Sequence, residues 1–406
     1  MKNFFSLMSV QLVINLTSLI LVPLLSRNLG PNVWGIYLLS QSIMNFVTPL
    51  IDFGSDYIGT RFVSQNRTSN LELSKFGSIA LIVKSAFSLV ILLIGLIFYF
   101  NYPPLQDYPL FLFLAVISGI ISGLTPWWYF QGIEKMVFPS FLTIVLYLIY
   151  GLLIWKIIDG PEEGWKVLLI YLSINVILNV VLFYKIFSEL TFFIPKTYEI
   201  INYTKEAFVL FLAKMSDLVY GSISVIILGL FVSPIGVSYY GNSEKVLKIP
   251  RISINTLLRV LYPKLSKMLI NNPDEADSFK KKFLLRLICL SLPFCMLVAY
   301  FSKEIILFIF GMKYIQSADI LRLMIWIIPL FILNKMIGIL WFVASKKDII
   351  FLKVNMIGMA INILLLILFL SFYGLTGIAY SLIISEFTKS IIVVFYASKA
   401  KQIRNS

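Results

Sequence analysis

The chain contains no histidine, and this absence removes the side chain that most often relays protons near neutral pH or ligates transition metals. Catalysis through a histidine base is excluded with it. Cysteine is almost as scarce. Cys289 and Cys295 are the only two, both lie in one apolar segment, and their spacing matches neither a redox nor a metal-binding motif. No cofactor or metal is implied. Charge is sparse as well: 13% of the 406 residues are Asp, Glu, Lys or Arg, against roughly 25% in soluble proteins. Acidic residues are the scarcer kind, 20 against 34 basic. The formal charge of +14 does not point to nucleic acid, because no stretch interleaves basic and aromatic residues as a single-strand platform does. Anionic lipid surfaces are the expected partner of that charge.

What the sequence has in excess is apolar length. Hydrophobic residues make up 59% of the chain, and runs long enough to cross a bilayer recur from end to end. They lie near 5–26, 36–54, 78–100, 109–130, 138–157 and 166–190, then near 207–230, 238–263, 283–302, 318–341, 350–370 and 373–397. The expectation is therefore an all-α polytopic membrane protein of about 12 transmembrane helices, six on each side of a polar hinge at Thr191–Lys205. The two halves are residues 1–195 and 196–406. The run from Phe5 is too long for a signal-peptide core and has no small-residue cleavage site, so it is expected to be the first spanning helix.

Lysine and arginine set the orientation. With the N-terminus cytoplasmic, only Arg27, Lys156, Lys166, Lys303, Lys313 and Arg322 fall at outer ends. Both termini are expected inside. Eight basic residues fall within the expected spans: Lys84, Lys214, Lys245, Lys248, Arg251, Arg259, Lys335 and Lys389.

The stretch from Tyr239 to Leu265 concentrates them. Lys245, Lys248, Arg251, Asn255 and Arg259 follow at steps of three and four, so at about 100° per residue they share one side of a helix. A charge at mid-membrane costs about 2.5 to 3.5 kcal/mol, so such a stripe is expected to face protein or a water-filled cavity that takes anions. Snorkelling to the interface suits Lys245 and Arg259 but not Lys248 and Arg251. Pro250 is expected to kink this helix.

Other intramembrane polar groups read less sharply. Gln41, Asn45, Thr48 and Asp52 share a helix face that either lines the cavity or serves as interhelical glue. Lys214 and Asp217 form an (i, i+3) pair with two readings: mutual neutralisation, or a coupling-ion site at Asp217 with Lys214 facing substrate. Asp52 is a second candidate for a coupling ion. Lys335, with no obvious local partner, reads either as a cavity residue that meets substrate or as half of an interhelical ion pair, Glu386 and Lys389 read as a self-neutralising pair, and Lys84 reads as snorkelling from the inner end. Arg27 sits in the turn RNLGPNVWG, where an outer-rim arginine meets either solvent or a departing phosphate.

Four motifs then carry a resemblance: PLLSRNLGPNVWGIY (Pro23–Tyr37), DFGSDYIGTRFVS (Asp52–Ser64), PWWYFQGIEKM (Pro126–Met136) and YYGNSEK…LYPKLS (Tyr239–Ser266). In this order they resemble the Wzx-type O-antigen and polysaccharide-unit flippases of the multidrug/oligosaccharidyl-lipid/polysaccharide exporter superfamily. The resemblance implies two six-helix lobes around a central cavity. It also implies alternating-access transfer of an undecaprenyl-pyrophosphate-linked oligosaccharide across a bacterial inner membrane, without covalent chemistry. Membrane lipids, the polysaccharide polymerase and the chain-length machinery are the partners it brings. A cationic cavity suits a pyrophosphate. The other readings are a lipid II flippase, a drug exporter of the same superfamily, or a membrane polysaccharide polymerase, which usually carries a longer outer loop.

Overall fold

A computed structural model describes residues 2–101, 103–342 and 348–405, and among these residues there is no strand. The first helix, α1 (Lys2–Asp52), is 51 residues long, more than twice the roughly 20 needed for one crossing. Gly30, at φ 70°, breaks it. A residue without Cβ adopts that left-handed conformation at little cost, and the break separates the two apolar runs expected at 5–26 and 36–54. Next come α2 (Ser55–Gln65), α3 (Asn70–Asn101), α4 (Pro103–Gln106), α5 (Pro109–Leu124), α6 (Trp127–Gly132), α7 (Val137–Ile157) and α8 (Gly164–Phe187). After an extended connection follow α9 (Thr197–Leu218), α10 (Ser224–Phe231), α11 (Pro234–Asn271), α12 (Pro273–Tyr300) and α13 (Ser302–Ile309). The chain continues through α14 (Ser317–Met324), α15 (Ile327–Ile337), α16 (Asp348–Tyr373) and α17 (Thr376–Asn405).

By length and composition, eight helical segments among the described residues suffice to cross a membrane. They become nine if Ser317–Met324 and Ile327–Phe342, bent by 42°, form one broken span. The all-helical, multi-span reading stands, while a count of twelve does not follow. One reason is that Met8–Gln65 is continuous enough to count once although it holds two of the expected runs. Another is charge: the runs expected at 207–230 and 238–263 carry Lys214, Asp217 and the basic stripe, and only the short piece Gly221–Phe231 stays apolar.

Packing divides the chain into two compact units, Met1–Val237 and Ser238–Ser406. Within the first unit α9 is tied to the helices that precede it. Phe53 stacks on Phe211 at 5.0 Å, the Ser55 and Tyr203 hydroxyls meet at 2.7 Å, and Arg61 pairs with Glu206 at 3.1 Å. The hinge itself is pinned, since the backbone N–H groups of Thr191 and Phe193 donate to the hydroxyls of Ser74 and Ser78.

In the first unit α1 and α5 pack closely through Gly119 and Gly123. A Cβ on Gly119 would come within 2.7 Å of Val47, and one on Gly123 within 2.5 Å of the Thr48 carbonyl. Small residues four apart let helices approach in this way where lipid offers no hydrophobic drive. Side chains that face away remain apolar, as with exposed Leu93, Ile97 and Phe100 on α3. In the second unit α16 and α17 pack against each other, and α15 packs against both α17 and α12.

Candidate functional site

The second unit holds a group of charged side chains built on a buried pair. Glu386 and Lys389 are one turn apart on α17, 3% and 5% exposed, with Lys389 Nζ 2.6 Å from Glu386 Oε1. The pair read from the sequence therefore forms. Asn334 of α15 donates to Glu386 Oε2 at 2.6 Å and to its carbonyl at 3.1 Å, so a second helix binds the same carboxylate.

Two further cations surround it. Arg251 of α11 acts electrostatically on both members of the pair, and Lys335 of α15 acts on Lys389. Arg251 lies over the Phe331 ring at 5.5 Å. Lys335 lies 6.0 Å from the Phe331 centroid and 5.8 Å from that of Phe351, within the range where a ring face attracts a cation. Lys389 and Arg251 thus share one carboxylate, with Lys335 beside Lys389. The hydrogen-bonding capacity is incompletely used too. Arg251 Nε and Asn334 Oδ1 are buried with no hydrogen-bond partner among the described residues, an unusual state for buried polar atoms. Among the described residues the cluster thus gathers three cations near one carboxylate and holds an open donor and an open acceptor.

The basic stripe is sorted by burial. α11 is helical through Pro250; Lys245, Arg251 and Asn255 are half-buried and Lys248 is exposed. Lys245 has Lys248 and Glu244 as electrostatic neighbours. The side chains of Lys214, Asp217 and Arg259 lie outside the described residues. Of the predicted site residues, then, Arg251 and Lys335 are brought together. Asn334, Glu386 and Lys389 complete the group. Asn334 is not among the candidates read from the sequence; the available signal was an asparagine beside an intramembrane lysine.

In the first unit the polar face on α1 comes apart. Gln41 donates to the Tyr37 hydroxyl, Thr48 returns its hydroxyl to the Met44 carbonyl, and Asn45 is exposed. Arg27 is exposed just before the Gly30 break. Asp52 is buried, with its carboxylate 3.4 Å from Lys84 Nζ. Lys84 is 1% exposed and also donates to the Gly123 carbonyl at 2.9 Å. The snorkelling expected of Lys84 is thus corrected: the aliphatic stem cannot reach an interface from a site closed by α1 and α5, so its charge is met internally. Among the described residues no group of three or more Cys, Asp or Glu could hold a metal ion.

The fold and the buried cluster define a class, that of multi-span helical membrane proteins with charge buried among their helices. The comparisons with known proteins agree. The family model described as "Polysaccharide biosynthesis protein" matches residues 1–269, and the chain belongs to that family. A protein of Shigella dysenteriae named "Putative O-antigen transporter" is 22% identical over 367 residues, 89% of this chain and 90% of its own length. A protein of Escherichia coli K12 with the same name is 23% identical over 285 residues, 68% of this chain and 66% of its own length. Among solved structures, an inward-facing multidrug resistance MATE family transporter of the MOP superfamily superposes with a TM-score of 0.70 at 11% identity, covering 94% of this chain and 97% of that one. The lipid II flippase MurJ in an inward closed conformation gives 0.68 at 15% identity, covering 98% and 87%. These two share the fold.

Proposed function

We propose that this protein is a flippase that carries an undecaprenyl-pyrophosphate-linked oligosaccharide, an O-antigen or similar surface-polysaccharide repeat unit, from the cytoplasmic to the outer leaflet of a bacterial inner membrane. The observation that carries this reading is the gathering of Arg251, Lys335 and Lys389 about Glu386, together with the open hydrogen-bonding atoms of Arg251 and Asn334. A pyrophosphate cannot cross hydrocarbon with its charges bare. Arg251, Lys335 and Lys389 supply charge-assisted hydrogen bonds in place of water, and Lys245 and Lys248 extend the path along α11. Asn255 and Asn45 line the route of the sugars, Arg27 meets the phosphate on exit, and Lys214 and Arg259 add to the cationic lining. Asp217 is the preferred coupling-ion residue, because Asp52 is engaged by Lys84.

The cycle proposed is alternating access between two lobes of six spans, 1–195 and 196–406, with both termini cytoplasmic. The membrane potential, worth about 2.3 kcal/mol per charge at 100 mV, favours outward movement of an anionic head group when the inside is negative. The relatives' names support the O-antigen substrate, and handing the unit to a polymerase and chain-length machinery follows from that substrate.

The test is the sidedness of undecaprenyl-pyrophosphate-linked units in cells with and without the protein. Units trapped on the cytoplasmic side and released by re-expression are expected. Units that reach the outer leaflet unaided would remove the flippase reading in favour of a later step. Trapped peptidoglycan precursor in their place would transfer the function to lipid II.

A further inference from the structure

The first unit carries a cavity of about 680 Å³ where α6, α7 and α8 end together, a volume inside the roughly 300–1,000 Å³ of ordinary ligand sites. Its floor is the buried pair Tyr129 and Phe130, and its rim is the exposed apolar set Val137, Phe138 and Phe141. Three candidate spans, Pro109–Gly132, Val137–Ile157 and Pro161–Phe187, terminate around it. The cavity therefore sits at the depth of the membrane–water interface, with an apolar side that continues onto the spans. The lysine and arginine bias of the loops assigns this end to the cytoplasm.

Its charged residues are Glu134, Lys135, Lys185 and Glu189, and the carboxylates are already engaged. Glu134 pairs with Arg67 at 2.6 Å, and Glu189 accepts a hydrogen bond from the Tyr129 hydroxyl at 3.0 Å. The turn that carries Lys135 is held by bonds from Ile133 N to Tyr129 O and from Lys135 N to Phe130 O, with Glu134 in the left-handed region at φ 58°. Lys185 lies over the Phe138 ring at 4.5 Å. Neither lysine has an ion pair among the described residues. With Arg67 counted, three cations face two carboxylates, and a single negative charge balances the site.

We propose that this cavity binds an anionic phospholipid of the cytoplasmic leaflet, its phosphodiester between Lys135 and Lys185 and the upper part of an acyl chain along Phe138 and Phe141. The glycerol region meets Tyr129 and Glu189. This site is independent of the cluster in the second unit and does not rest on the transported substrate.

The test uses the purified full-length chain in detergent, with bound lipid read by native mass spectrometry and by the shift of melting temperature on titration. Phosphatidylglycerol, phosphatidylcholine and soluble glycerol phosphate are compared. Phosphatidylglycerol is expected to bind selectively. The double variant Lys135→Gln with Lys185→Gln should weaken it on the order of tenfold to thirtyfold, two surface lysines' worth, while Lys135→Arg with Lys185→Arg keeps it. Phe141→Ala, at an exposed position, should lower phosphatidylglycerol retention without changing the melting temperature of the lipid-free protein. Equal binding of phosphatidylcholine, an unweakened double Gln variant, or the full effect from glycerol phosphate alone would each overturn the proposal.

Discussion

Asp52 and Lys84 in the first unit, and Glu386 and Lys389 in the second, are both carboxylate–ammonium pairs buried to within a few per cent, yet their surroundings differ. The first joins distant segments, 32 residues apart, and Lys84 spends a second bond on a backbone carbonyl of α5, so it ties three helices together. The second closes within one turn of a single helix and sits among Arg251 and Lys335 with polar atoms left open. Burying a charge is tolerated only when it is compensated. Closed in by three helices, the first pair is a staple; the second, with further cations beside it, belongs to the anion site of the proposed function.

The sharpest way to break this contrast is Lys84→Met. It leaves Asp52 buried without its countercharge and is expected to cost about 3–5 kcal/mol, read as a lower melting temperature and lower yield in membranes. Adding Asp52→Leu should recover most of that loss, since replacing both partners is often close to neutral. An unaltered melting temperature in Lys84→Met would dissolve the staple.

Next in size is the double variant Arg251→Gln with Lys335→Gln. Each charge-assisted hydrogen bond is worth about 1.5–3 kcal/mol, so transfer measured by leaflet sidedness should fall about a hundredfold or more. The melting temperature should hold or rise, because mutual repulsion is relieved. A parallel loss of folding and transport would make these residues structural.

Glu386→Gln should cost less, about 1–3 kcal/mol, because the amide oxygen still accepts from one of the carboxylate's two donors, Lys389 or Asn334. Inorganic pyrophosphate should restore its stability in the melting assay, by roughly 2.7 kcal/mol at a hundred times its dissociation constant, and should do nothing for Lys84→Met. Identical responses of the two variants would end the distinction between staple and site.

The smallest effect belongs to the exposed Arg67–Glu134 pair. The Arg67 guanidinium holds the Glu134 carboxyl below its ordinary range. Its contribution is therefore present above the unfolded value of about 4.3 and is lost as pH falls through the lower folded value. Glu134→Gln should show a slight deficit at neutral pH that closes on acidification and shrinks in salt; a gap that widens in acid would contradict the sign.

The two pairs also differ in how far they could be read from the chain. Glu386 and Lys389 stand at i, i+3, a spacing that brings side chains together on any helix, so their contact needed no tertiary knowledge. Asp52 and Lys84 are on different helices, and nothing local marks them as partners, so Lys84 read as snorkelling and Asp52 as part of a cavity face. The same limit applies to Gln41, Asn45, Thr48 and Asp52. One helical face was legible, but their separate fates depended on whether Tyr37, a backbone carbonyl, solvent or Lys84 lay opposite.

By itself the sequence determined that the chain is helical, multi-spanning and basic within the membrane, because hydrophobic length and charge cost are properties of contiguous residues. The Gly30 break, the stripe on α11 and the family motifs are likewise local. Only the tertiary structure decided which charges meet. The close approach of α1 to α5 closes Lys84 in, and the packing of α15 on α17 delivers Asn334 to Glu386. Compensation of a buried charge is a matter of distance in space, and distance between helices is set by packing rather than by order along the chain.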